Sequence, residues 1–352
     1  MRRFARRLCG QLLLAVLVAS QLVAQSAGPL RLDPVASYGW TDLSDSTRPL
    51  SVTDRRLQAG ELGSVNGAVE GRNGEVFVLD PVNKKVAVFD RNGVYLHAFG
   101  GDGEGPGEFR RPSRITNGPD GSIYVWDPQL KRVSQFSADG KNLSQRTLPT
   151  VPNTVGFTVA NNRAWFVRLL LGRGLAVRAF DLTSGMAVDS FAPLTENEVS
   201  ISGFGAPGSI TSNTSGEIIY AGPFPITLRI WSGGKMTTAG TNRFPAARGV
   251  MSDAGVRNTP VSMRGIAVRP DGSLAAVYST SDITPANFHA PLKFWLEILA
   301  PNGRSLGKTE LQKVDFFGGI SATANGDLLL SVTDEYPQVR RVRVAFGPKT
   351  TR

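Results

Sequence analysis

Between Gly74 and Gly140 the chain repeats itself with a period of 47 residues. Gly74 and Gly121, Asp80 and Asp127, Phe89 and Phe136, and Gly93 and Gly140 are all separated by that interval. The two units read NGEVFVLDPVNKKVAVFDRNG and DGSIYVWDPQLKRVSQFSADG. Each contains a turn, a four-residue apolar strand, Asp-Pro, a lysine-bearing corner, a second strand ending in Phe, and a closing turn. A period of this size marks one supersecondary unit that buries its apolar faces only by stacking on copies of itself.

Four weaker copies continue the pattern. The third holds Ala164 to Val167 and Ala176 to Phe180, and closes at Ser184-Gly185. The fourth holds Ile218 to Ala221 and Thr227 to Trp231, the fifth Leu274 to Tyr278 and Trp295 to Leu299, and the sixth Leu328 to Val332 and Val339 to Phe346. Ile123, Tyr124, Val125 and Trp126 are all apolar, so both faces of that strand need cover. The hairpin-type turns make the neighbours antiparallel. Antiparallel sheets covered on both faces stack on like sheets, and a ring of them is a β-propeller. The expected fold is therefore all-β, a six-bladed β-propeller of four-stranded antiparallel blades over residues 49–348.

Ring closure carries its own expectation. The sixth unit has no outer strand of its own, so the missing strand is expected from the N-terminal side. Glu61-Leu62 precedes Glu108-Phe109 by one period, which nominates Leu50 to Leu57 as the closing strand and residues 28–48 as a lead-in. Residues 241–263 and 279–293 depart from the repeat as insertions. Insertions in repeat arrays collect on one face, often the binding face.

Residues 1–27 read as a signal peptide. Arg2, Arg3, Arg6 and Arg7 form a basic start, Leu12 to Val23 an apolar stretch, and Ala24, Ser26 and Ala27 a small-residue cleavage window. The apolar run is shorter than the ~20 residues a spanning helix needs. No membrane span is expected once the signal is removed, and the mature chain is expected in the periplasm or outside the cell, as a monomer. Cys9 is the only cysteine and lies before the apolar run, so the mature chain has no disulfide and depends on its core for stability. The net charge of +10 falls to +6 without the four leading arginines. An excess this small in an exported protein argues against nucleic acid as a partner.

The stretch FGGDGEGPGEFRRPSRI followed by PDGSIYVWDPQLKRVSQFSADG resembles the NHL repeat, in which a glycine-rich loop with Gly-Pro-Gly and Phe precedes a Pro-initiated strand. The resemblance is specific over the first two units and implies a six-bladed propeller of the NHL or TolB-like kind, exported and bacterial. Such propellers host binding modules, scaffolds, lyases and lactonase-like hydrolases, so the fold leaves function open.

Chemistry-bearing residues are sparse. The mature chain has two histidines, His97 in an expected outer strand and His289 in an insertion. No zinc-protease, nucleophile-elbow or calcium-loop pattern occurs. Asp102, Glu104 and Glu108 offer hard-cation oxygens, but the glycines around them are explained by turn geometry, so Ca2+ is not supported and no cofactor is expected. Asp80 and Asp127 end strands before Pro, where a carboxylate caps backbone N–H groups. Lys84, Lys85, Lys131 and Arg132 share the corner that follows. Arg110, Arg111 and Arg114 stand near the start of an inner strand, so a basic face on the first two blades is the candidate ligand-binding surface. Trp126, Trp165, Trp231 and Trp295 fall on strands and are expected to pack between blades. The favoured function is a non-catalytic module or scaffold that binds a peptide, protein or glycan. The alternatives are a metal-dependent hydrolase or lyase with its site on the propeller axis, and a structural component of an envelope complex.

Overall fold

The computed structural model describes residues 29–39, 62–149, 154–169, 174–203, 207–224, 227–240, 249–252, 257–311, 319–332 and 337–347. They form six four-stranded antiparallel sheets arranged as propeller blades. Blade 1 runs Ala68–Glu70, Val76–Asp80, Lys85–Phe89, Tyr95–Gly100, innermost strand first. Blade 2 runs Arg114–Asn117, Ile123–Asp127, Arg132–Phe136, Asn142–Thr147. The inner strands of blades 3 to 6 are Thr154–Ala160, Ser209–Ser212, Val261–Val268 and Ile320–Ala322.

The apolar runs behave as two-sided strands. Val76, Phe77, Val78 and Leu79 are all fully buried. Successive side chains on a strand point to opposite faces. Val76 and Val78 accordingly enter the core shared with blade 6, while Phe77 and Leu79 enter the core shared with blade 2. Equivalent cores lie at each of the other blade junctions. The tryptophans pack as expected: Trp126 and Trp165 are buried between blades, and Trp231 stacks on Phe191 at 5.3 Å.

The ring closes through a different segment from the one nominated above. Leu30–Gly39 is the outer strand of blade 6, pairing antiparallel with Gln338–Phe346 from Leu30 opposite Phe346 to Gly39 opposite Gln338. It brings Leu30 into the blade 5–6 core and Tyr38 into the blade 6–1 core. Leu50 to Leu57 lies outside the described residues, and the stretch assigned to a lead-in contains the closing strand. Asp33 and Pro34 disguise it. An outermost strand tolerates Pro because one edge needs no N–H donor, and the register shifts between Pro34 and Ala36.

A polar latch reinforces this closure. Buried Arg341 donates to Asp327 at 2.8 Å, Glu70 at 3.1 Å and Asn325 at 3.0 Å, while Glu70 also accepts the Ala324 N–H at 2.6 Å. Blades 6 and 1 are thereby joined by charge as well as by packing.

Helix α1, Glu196–Gly203, lies between blades 3 and 4. Glu198 is buried against Arg229 at 2.8 Å and also accepts the Thr195 N–H at the helix start. Within the inserted regions, Val250–Met251 and Arg257–Asn258 form a two-stranded ribbon.

Candidate central channel

The six inner strands surround a central channel of about 1100 Å³. The strand registers allow blade-by-blade comparison along its axis. At the end where the inner strands begin, called here the upper face, equivalent positions hold Gly67, Arg114, Gly156, Ser209, Gly265 and Gly319. Two residues deeper the ring is Val69, Thr116, Thr158, Thr211, Ala267 and Ser321. Small residues therefore occupy the mouth in five blades; in the deeper ring Thr116, Thr211 and Ser321 are partly exposed, while Val69, Thr158 and Ala267 are buried. Arg114 is the single long side chain in the upper ring.

Two β-bulges equip this mouth. The blade 3 pairing jumps from Thr154 to Gly156, leaving Val155 outside the ladder. Its carbonyl is taken up by Arg114, whose Nε donates at 3.0 Å and Nη2 at 2.8 Å. Arg114 Nη1 also donates to the Ser113 carbonyl at 2.7 Å. The blade 5 pairing jumps from Met263 to Gly265, so Arg264 is the bulged residue. A bulge re-aims a side chain, and Arg264 borders the channel with Nε 3.2 Å from Ser279 Oγ. Blades 2 and 5 stand opposite each other in a ring of six.

Desolvation alone pushes the pKa of both arginines down, with no carboxylate offsetting it. Arg264 is open to channel water yet walled by protein on its flanks, which is how an accessible side chain is still desolvated. Guanidinium stays protonated under all ordinary conditions, so both are charges lacking an acidic partner among the described residues. The channel's carboxylates are engaged elsewhere: Glu70 with Arg341 at 3.1 Å, and Glu217 with the Asn213 side chain at 2.7 Å.

The candidates named from the sequence are dispersed. Asp80 accepts the N–H groups of Gly63, Ser64, Val82 and Asn83. Asp127 accepts those of Arg110, Arg111, Gln129 and Leu130, each one period later. Arg132 is buried and donates to the carbonyls of Glu104, Gly105 and Glu108, clamping the glycine-rich loop. Lys84 and Arg110 meet at Asp102, at 2.6 and 3.0 Å, and Arg110 also reaches Glu104 at 3.3 Å. Lys84 beside it holds the Asp102 carboxyl below the usual carboxylate range. Arg111 and Lys131 are exposed, while Arg114 turns into the channel. The structure thus divides the basic cluster among a corner ion network, a loop clamp and the channel wall. Among the described residues, no group of three or more His, Cys, Asp or Glu side chains is placed to hold a metal ion.

Arg264 escaped notice in the sequence because it sits in an insertion-flanked stretch away from the well-matched units. A usable signal was present: the Arg-Gly pair within the fifth inner strand, Val261–Val268, where a bulge needs an extra residue. For Arg114 the signal was its counterpart one period earlier, Gly67, which shows that the repeat itself needs no long side chain there.

A family model described as a 6-bladed beta-propeller matches residues 60–170. Among solved structures, a duf4221 family member from Bacteroides vulgatus is similar at 10% identity and TM-score 0.59, over 91% of this chain and 100% of that one. A Bacteroides fragilis protein assigned as exported is similar at 12% identity and TM-score 0.54, over 90% and 95%. A streptogramin B lyase is similar at 13% identity and TM-score 0.50, over 90% and 98%. No curated protein matches in sequence. At these identities the likeness is one of fold, and it agrees with the six four-stranded sheets. The chain is a six-bladed β-propeller.

Proposed function

We propose that this protein is an exported, non-catalytic binding module that receives a peptide, protein or glycan ligand in its central channel from the upper face. The observation that carries this reading is the channel itself: about 1100 Å³ of space, a mouth lined by glycine and serine, and the partly exposed Thr116, Thr211 and Ser321 below it. Binding cavities are typically concave spaces of roughly 300–1,000 Å³ with a few convergent polar groups. Export is supported by the basic, apolar and small-residue sections of residues 1–27. Among the described residues no helix is long and apolar enough to cross a membrane.

The corner carrying Arg111 and Lys131 is the competing surface, because both cations are exposed. The two sites are separated by screening the purified protein against peptide and glycan arrays, then repeating the hits with two variants. Ser209→Trp narrows the mouth and is expected to abolish binding. Arg111→Ala with Lys131→Ala is expected to leave it intact. The reverse pattern moves the site to the corner and rejects the channel.

A further inference from the structure

We propose that the channel mouth is a carboxylate-binding site, with Arg114 and Arg264 as its two cationic poles. The inference deepens the binding role proposed above and rests on the channel being the ligand site. Its chemistry is that of a compact ligand bearing one or more carboxylates.

The donor arithmetic makes Arg114 a prepared anchor. A guanidinium carries five N–H donors. Two are held by the Val155 carbonyl and one by the Ser113 carbonyl. One N–H on each terminal nitrogen is left over, the number a carboxylate accepts in a bidentate pair. The carbonyls are neutral, so they fix the guanidinium in place without cancelling its charge. The bulge leaves Val155 outside the ladder, and its carbonyl accepts both bonds. Arg264 spends one N–H on Ser279 Oγ and keeps four.

The surroundings favour an anion over other occupants. Desolvation without a compensating carboxylate raises the free energy of both cations, and a bound anion relieves it. Gly67, Gly265 and Gly319 line the channel without side chains at the positions equivalent to Arg114. Thr116 and Thr211 below them are partly exposed and supply hydroxyls to the remainder of a polar ligand. The structural cations behave differently: Arg229 and Arg341 each hold buried carboxylates of this chain.

The test is calorimetric titration of the mature protein with citrate as a carboxylate probe and inorganic phosphate as a second oxyanion, at low and at physiological salt. Citrate is expected to bind with a dissociation constant below about 1 mM and to weaken as salt rises. Arg264→Gln is expected to weaken citrate binding about tenfold or more, as loss of a charge-assisted partner does. Arg114→Lys keeps the charge but loses the fork, and is expected to lower citrate affinity more than phosphate affinity. Its melting temperature, read alongside, separates lost binding from lost fold. Arg111→Ala with Lys131→Ala is expected to leave citrate binding unchanged. The proposal is overturned if citrate does not bind, if Arg264→Gln binds it as well as the wild type, or if phosphate is preferred throughout. If array ligands are lost in Ser209→Trp while citrate is indifferent to both arginines, the channel stands as the ligand site and the carboxylate assignment falls alone.

Discussion

The glycine-rich loop of blade 2 and the channel mouth carry similar residues to opposite ends. Both are rich in glycine and arginine. In the loop, every named polar group has an internal partner: Asp127 caps four N–H groups, Arg132 clamps three carbonyls, and Arg110 and Lys84 share Asp102. In the mouth, Arg114 and Arg264 meet only neutral acceptors and retain spare donors. Position therefore separates structure from site better than residue type or donor count does. Arg132 also meets only carbonyls and keeps a buried Nε without a partner, but it is enclosed by its own loop, whereas Arg114 and Arg264 border the channel. A cation enclosed by its own loop contributes stability, while one that borders an open channel with donors left over is available to a ligand.

The sharpest way to break this contrast lies in the loop's anchor. Phe109 is fully buried against Phe136, with ring centroids at 5.8 Å. Phe109→Ala is expected to cost about 3–5 kcal/mol in denaturant unfolding; a small loss would show that the loop is not seated in the core. Next comes Asp127→Ala, which strands four backbone donors at a buried corner. It is expected to cost about 3 kcal/mol, with Asp127→Asn retaining part of that. Smallest is Arg264→Gln, expected to change stability by no more than about 0.5 kcal/mol in the same assay. A large loss there would return Arg264 to the structural class and erase the distinction between the two regions.

Much of the fold was legible before any coordinates. The blade number, the second strands and the capping role of the strand-end aspartates all follow from local patterns. Asp80 and Asp127 illustrate how far that goes, since their four backbone N–H donors correspond residue for residue across one period. The candidate site was much less legible. Arg110, Arg111 and Arg114 are close neighbours in sequence, yet one joins an ion network, one faces solvent and one enters the channel. On an extended chain successive residues point to different faces, so proximity in sequence says little about shared surface.

Leu30–Gly39 and Arg264 mark the boundary between the two kinds of information. Continuous apolar runs, D-G and N-G turns and a recurring interval are local quantities, and they alone determined six blades packed face to face. Which distant strand completes the last blade depends on the energy of pairing across nearly the whole chain. A Pro-bearing edge strand carries little sign of that pairing in its own residues. Which arginine faces the axis depends on a one-residue register slip, and a slip of one residue turns a side chain to the other face. Those two outcomes, ring closure and a charged mouth, were decided only in three dimensions.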